Sequence, residues 1–187
     1  MANKDAPFGL KPIGKVGQNR DSQGLSEYSI AASADAIYFN DPVEMASTGT
    51  ITVAAATDTL LGSLNGVFFT DASTSKPTYA NHLNASNTAT DIVGFVSDDP
   101  YQRFEIQADG ATAAADVGLN ADIAYTAGSS PDYVSKVELD TSDQKTATAQ
   151  LRINAISKDP DNNEAGSANV NLVVTINEHF LKGTVGI

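Results

Sequence analysis

The chain has 187 residues, 41% of them hydrophobic, with a formal net charge of −12 and no cysteine. This length suits one ordinary domain, and the hydrophobic fraction excludes a compositionally disordered chain. Without cysteine there are no disulfides and no thiolate metal sites, and no apolar run is long enough to predict a membrane-spanning helix.

The charge is unevenly distributed. Residues 1–20 contain four basic residues and one aspartate, a net charge of +3, so the other 167 residues carry −15. An acidic body repels phosphate, and we therefore expect no binding of nucleic acid. Solubility alone is one explanation of the acidic surface. The other is that the basic N-terminal residues dock onto acidic surfaces of neighbouring subunits.

Residues 1–24 are predicted to form an extended arm. Prolines and glycines interrupt any helix there, and the apolar residues show no helical period. Phe8 and Leu10 point the same way in an extended segment and suit a groove on another subunit, whereas a frayed tail is the ordinary alternative. The predicted partner-binding residues are Lys4, Pro7, Phe8, Leu10, Lys11, Pro12, Ile13 and Lys15.

The start of the chain also bears on where the protein is used. Residues 1–15 contain no apolar core of the kind found in secretory signals. We therefore expect a protein that is made and used in a cytoplasm, or in an assembly built there.

Short β patterns begin directly after the arm. Strands are predicted at 27–30, 36–39, 50–54 and 66–70. The glycine-bounded stretch 62–66 is predicted to be a turn, and the polar residues 71–90 a long surface loop.

The second half has a more regular alternation. Strands are predicted at 91–97, 101–108, 121–126, 134–139, 151–157 and 169–177. In 101–108, the inward-facing residues should be Phe104, Ile106 and Ala108, and the outward-facing ones Arg103, Glu105 and Gln107. Residues 112–118 are the single helical turn expected, with Thr112 as its cap and Gly118 at its end.

These patterns predict a mainly β fold. We expect a single compact β-barrel or β-sandwich domain over 25–187, with the extended N-terminal arm and at most one short helix. A division of the body into lobes at 25–90 and 91–187 is an alternative. Alternation does not give strand order, so barrel and sandwich both stay open.

A search for chemistry finds no catalytic signature. His82 and His179 have no second histidine or carboxylate at a metal-ligand spacing. Residues 159–164 resemble the start of a calcium loop, but Glu164 replaces the required glycine and Val170 the bidentate glutamate, so a polar hairpin loop is favoured. Phosphate-binding and nucleophile-elbow motifs are absent. We predict no enzyme, no cofactor and no metal.

Several stretches resemble small virion structural proteins of tailed phages, particularly marine and cyanophage-like ones. They are ANKDAPFGLKP at 2–12, IVGFV at 92–96, FEIQADG at 104–110, ADVGLNAD at 115–122 and VTINEH at 174–179. The match is weakest over 40–90.

The resemblance implies a capsid decoration, or cement, protein. Such proteins bind the outside of an expanded head, usually as trimers, and staple neighbouring major capsid proteins together. The implied partners are the major capsid protein and two further copies of this chain, with no membrane. The implied location is the capsid exterior of a virion assembled in the host cytoplasm.

Two other functions remain open. One is a tail, neck or head-fibre component, which copy number per virion would distinguish. The other is a carbohydrate-binding adhesion module, for which exposed aromatics are needed. The chain has no tryptophan, and the candidates are Tyr79, Tyr125 and Tyr133, which are predicted to lie in or near loops.

Overall fold

A computed structural model of the chain describes residues 2–17 and 24–183. The fold is mainly β, with 39% strand and 5% helix. Three single-turn 3-10 helices lie at Ala114–Asp116, Thr141–Asp143 and Phe180–Lys182. The strands in chain order are β1 (Lys11–Lys15), β2 (Ser26–Ser29), β3 (Pro42–Met45), β4 (Ile51–Val53), β5 (Leu60–Thr70), β6 (Pro77–Ala80), β7 (Val93–Ser97), β8 (Gln102–Gln107), β9 (Asn120–Ala121), β10 (Ile123–Ala124), β11 (Glu138–Leu139), β12 (Leu151–Ile156) and β13 (Asn171–Ile176).

Two large antiparallel sheets make up the body. Sheet 1 has the order β1-β8-β13-β12-β9, and sheet 2 the order β2-β7-β5-β3-β4, with β6 also paired to β5. Strands β10 and β11 form a separate small pair. In the described ranges neither sheet closes on itself, and the arrangement is sandwich-like. The predicted mainly β class is confirmed, with a sandwich fitting better than a closed barrel.

Each sheet buries its own hydrophobic cluster. Strict alternation along β8 and β13 turns Phe104, Ile106, Leu172 and Val174 into the cluster of sheet 1. The cluster of sheet 2 includes Ile51, Leu61, Leu64, Val67 and Val96. The side chains of both clusters are almost completely excluded from water, which is the main favourable term for folding.

The predicted turn at 62–66 is wrong, because these residues lie inside the 11-residue strand β5. The registers of β5 with β3 and with β7 each shift by one residue, near Leu61 and at Asn65. A β-bulge changes which face the following residues occupy, so the apolar residues of β5 do not alternate strictly. The sequence therefore loses its strand signal here.

Other parts of the first half also differ from prediction. The expected loop at 71–90 contains β6, which pairs with the second half of β5. Residues 36–39 form only isolated bridges, from Ile37 to Leu83 and from Phe39 to Val134. Strand β3 was not predicted. It begins at Pro42, and proline is tolerated as the first residue of a strand although together with Asp41 it signals a turn in the sequence.

The predicted helical turn is shorter than expected and is capped differently. It is a 3-10 turn at Ala114–Asp116. The backbone N–H of Ala113 donates to Asp116 Oδ2 at 2.7 Å, so the aspartate supplies the local hydrogen bond. Thr112 is buried, and its hydroxyl oxygen accepts from Gln144 instead.

The N-terminal segment differs most from prediction. Residues 11–15 form β1, an edge strand of sheet 1 that pairs with β8 of the same chain. Gln107, expected to face outward, is fully buried because residues 4–6 cover it. Met1 and residues 18–23 of the predicted arm lie outside the described residues.

Candidate partner-binding surface

The first residues of the chain are bound by a polar loop at 159–164. Asn3 donates to the carbonyl oxygens of Glu164 and Ala168 and accepts from the Glu164 N–H. The Asn162 side chain accepts from the Lys4 N–H at 2.9 Å and donates to the Lys4 carbonyl at 2.8 Å. The loop that resembled a calcium site therefore holds a segment of its own chain.

Gln107 of β8 fixes the next residues. Its Oε1 accepts from the Ala6 N–H at 2.9 Å, and its Nε2 donates to the Lys4 carbonyl at 3.0 Å. A side-chain amide that satisfies main-chain groups in this way replaces the ladder of a paired strand. Residues 3–6 are consequently held in place although they form no regular strand.

Leu10 is the deepest point of the segment. Its side chain is fully buried in the cluster of sheet 1. Its N–H donates to the Asn40 carbonyl at 2.9 Å, and its carbonyl accepts from Ser63 Oγ at 2.6 Å. Gly9 adopts φ +74°, and a Cβ there would lie 2.4 Å from the Asn40 oxygen, so only glycine fits. Residues 3–10 are called the anchor segment below.

The lysines of the segment meet acidic residues of their own chain. Lys4 pairs with Asp161 at 3.2 Å, and Lys11 with Glu105 at 3.3 Å. Lys15 pairs with Asp99 at 2.7 Å, and this hydrogen bond lowers the pKa of the Asp99 carboxyl. The acidic surfaces nearest to these three cations are therefore intramolecular. Arg20 lies outside the described residues.

The other predicted site residues lie at the surface to different degrees. Pro7, Phe8 and Pro12 are half-buried, and the Lys11 ammonium lies 5.7 Å from the centre of the Phe8 ring. Ile13 is 43% exposed. The register of β1 with β8 shifts between Pro12 and Gly14, so Ile13 is the bulged residue of this edge.

Strand β1 leaves one edge without a strand partner among the described residues. Beside it lies a cleft of about 520 Å³ between the two sheets. Its apolar lining comes from Pro12, Leu25 and Phe39, and its polar lining from Lys11, Asn40, Asn65 and Ser97. The volume falls within the range of ordinary binding clefts, about 300–1,000 Å³. The edge of β1, Ile13 and this cleft together form the candidate surface.

Sequence reasoning missed most of this cleft. Leu25, Phe39, Asn65 and Ser97 come from four separate parts of the chain, and no spacing connects them. Lys11 and Pro12 were predicted as partner-binding residues, and among the other five lining residues only Asn40 had a usable signal, since the following Asp41 and Pro42 mark a turn. Its φ of +65° fits that position, because asparagine tolerates the left-handed region.

Two buried titratable groups flank the region. Asp41 is fully buried, its Oδ2 accepts from the Tyr38 N–H at 2.7 Å, and burial raises its pKa to about 6. His179 is also buried, its Nδ1 accepts from the Leu181 N–H, and burial lowers its pKa to about 4. Both groups favour their neutral forms in the fold.

A second exposed surface lies on the outer face of sheet 2. Phe68 and Tyr79 face each other across β5 and β6, and the Tyr79 ring lies 5.8 Å from that of Phe95. Tyr79 is 63% exposed. A Cβ at Gly66 would lie 2.5 Å from the Tyr79 hydroxyl, so the ring rests over this glycine. Tyr79 was predicted to lie in or near a loop but lies on a strand.

The remaining candidates for chemistry are dispersed. His82 stacks on Tyr133 with ring centres 3.8 Å apart. In residues 2–17 and 24–183, no group of three or more His, Cys, Asp or Glu side chains is placed to hold a metal ion. No helix within these ranges has the length and hydropathy needed to cross a membrane.

Comparisons with protein-family models, with curated proteins and with solved structures give no match to this chain. A function for this chain is therefore inferred from the residues and contacts described above, together with the resemblance of the sequence stretches.

Proposed function

We propose that this chain is a non-catalytic decoration protein that binds the outer surface of a phage head, with the major capsid protein as its partner. The observation that supports this function best is the edge of β1. It is anchored at one end by buried contacts, pairs with no described strand along its outer side, and carries the exposed side chain of Ile13. An open edge of this kind accepts an added strand from another chain.

The position of β1 suits a clamp that has to bear load. Packaged DNA presses outward on a shell, so a clamp across subunit boundaries must not pull out of its own body. The anchor segment ties β1 to sheet 1 through Leu10, to the Asn40 carbonyl and to the Ser63 hydroxyl. Because many copies would bind one shell, their individually weak contacts would add up to a strong attachment.

Three parts of the proposal come from the resemblance: the trimeric state, the location on the capsid exterior and assembly in the host cytoplasm. The acidic body supports the exterior location in one respect, because a charge of −15 outside residues 1–20 is unsuited to contact with packaged DNA. Sedimentation of the purified protein tests the trimer directly.

The experiment that tests the function is binding of the purified protein to expanded heads that lack it. We expect saturation at a copy number set by the icosahedral lattice. A handful of copies per particle would instead assign the protein to a tail, a neck or a head fibre. No binding to heads or tails would exclude a virion role at these positions.

A second candidate function has one observation in its favour. The platform of Phe68, Tyr79 and Phe95 presents aromatic rings on a sheet surface, as carbohydrate-binding modules do. If the chain is an adhesion module, Tyr79→Ala should abolish its retention on immobilised polysaccharides. The same substitution should leave head binding unchanged if the decoration function is correct.

A further inference from the structure

The cleft beside β1 has the composition of a site for a ligand with both apolar and polar groups. Pro12, Leu25 and Phe39 supply apolar surface, and both sheets contribute to its walls. Sites between structural layers, with a few fixed polar groups in an apolar lining, are where proteins usually bind ligands.

Two residues of the lining have an unmet hydrogen-bonding capacity. Asn40 is 4% exposed, and its Nδ2 donates to the Phe8 carbonyl at 3.1 Å, which leaves Oδ1 as an acceptor without a partner. Ser97 is 2% exposed, and its Oγ likewise has no partner among the described residues. Buried polar atoms of this kind are uncommon in folded proteins, and two of them on residues that line one cleft favour a ligand that completes them.

The chemistry of the lining restricts the class of ligand. The net charge of −12 disfavours a phosphate-bearing ligand. A sugar ring would need a broad exposed aromatic face, whereas Phe39 is half-buried. An extended peptide has alternating N–H and C=O groups that suit Asn40 Oδ1 and Ser97 Oγ, and an apolar side chain that suits Leu25 and Phe39.

We propose that the cleft binds an extended peptide segment of a partner protein, with one large apolar side chain seated between Pro12, Leu25 and Phe39. The segment lies beside Lys11 and Pro12, on the strand of sheet 1 that has one edge without a partner among the described strands. Main-chain hydrogen bonds to an edge strand and a pocket for one side chain are the two parts of strand-addition recognition. The inference depends on the proposed function only in assigning the segment to a capsid protein.

The direct test uses the whole chain and a capped five-residue peptide of alternating threonine and leucine. Backbone amide signals of the chain, together with the side-chain amide signals of Asn40 and Asn65, are followed by NMR during titration to millimolar peptide. We expect saturable shifts at both amides, and none with a capped peptide of threonine alone. Shifts confined to Phe68 and Tyr79, or no shifts at all, would overturn the proposal.

A matched pair of variants gives a second test. Leu25 and Val117 are both 40% exposed, but only Leu25 lines the cleft. Leu25→Glu should weaken peptide binding at least about tenfold, whereas Val117→Glu should leave it unchanged. Equal effects of the two substitutions would contradict the cleft as the binding site.

The same variants separate this inference from the proposed function. Saturable binding of native protein to heads, with Leu25→Glu as good as native and no peptide shifts, would refute the cleft and retain the decoration role. Peptide binding in the cleft without any binding to heads would support the site and refute the decoration role.

Discussion

The two halves of the N-terminal segment are held in different ways. The anchor segment is fixed by side chains of the body, through Gln107, Asn162 and Ser63, and by the buried Leu10. Among the described strands β1 has a partner on one side only, and its bulged Ile13 is exposed. Stability should therefore depend on the first half and recognition on the second.

The largest expected loss of stability comes from Leu10→Ala in the anchor segment. Removing a fully buried leucine side chain from a packed cluster should lower the free energy of unfolding by about 2–5 kcal/mol. Urea unfolding at neutral pH measures it. A loss below about 0.5 kcal/mol would mean that the anchor segment is not part of the core.

The next effect concerns pH. The pKa of Asp41 is raised to about 6 in the folded protein. Between about pH 4 and 6 the folded protein therefore keeps a proton that the unfolded chain has released. Stability consequently falls as the pH rises through this window. The pKa of His179 is lowered to about 4, so the unfolded chain binds the extra proton between about pH 4 and 6.5, and stability is lost as pH falls. Across its pH window each group changes the free energy of unfolding by about 3 kcal/mol, and the two changes have opposite signs.

We therefore expect the stability of the native protein to change little between pH 4.5 and 6 on account of these two groups. In Asp41→Asn only the histidine slope remains, and stability should rise with pH. In His179→Asn only the aspartate slope remains, and stability should fall with pH. Unfolding curves of the three proteins across this range test the assignment, and parallel curves would contradict it.

A smaller loss of stability is expected for Gln107→Ala. The substitution leaves the Ala6 N–H without its acceptor and removes one donor to the Lys4 carbonyl. Unsatisfied groups of this kind cost about 1–3 kcal/mol. The exposed amide of Asn163 provides the control, since Asn163→Ala should change the free energy of unfolding by less than about 0.5 kcal/mol.

The smallest effect should come from Lys4→Ala. The ion pair of Lys4 with Asp161 lies at the surface, with both side chains more than half exposed. Exposed pairs contribute about 0–1 kcal/mol and are screened by salt. We expect a change at the low end of this range that disappears at high ionic strength. A larger, salt-independent loss would show that charge also anchors the segment.

The second half of the chain was largely predictable from sequence. Strands β7, β8, β12 and β13 lie within the predicted ranges, and the alternation correctly placed Phe104 and Ile106 inside. The predicted strands at 121–126 and 134–139 are reduced to two-residue strands. Strand β5 was only partly predictable, because bulges near Leu61 and at Asn65 disturb its period. A bulge hides a strand where it removes the alternation, as in β5, whereas the bulge of β12 at Asn154 leaves the alternation of Leu151 and Ile153 intact.

The candidate surface was much less predictable. The apolar residues of the N-terminal segment were recognised as anchors, but Leu10 is buried in its own chain. The reason is that its partners, Asn40 and Ser63, are distant in sequence, and hydrogen bonds across such distances leave no periodic signal. The cleft was unpredictable for the same reason, since Leu25 and Ser97 meet only through the pairing of β2 with β7.

We propose that the exposed edge of β1, and not the anchor segment, contacts the capsid. The most direct measurement is occupancy of expanded heads by Ile13→Glu beside Val117→Glu, whose native side chain is similarly exposed. Deleting residues 1–24 would be less informative, because it removes the buried Leu10 as well. We predict that Ile13→Glu folds normally and loses occupancy about tenfold or more, while Val117→Glu binds like the native protein. Equal occupancy of all three proteins would contradict the claim.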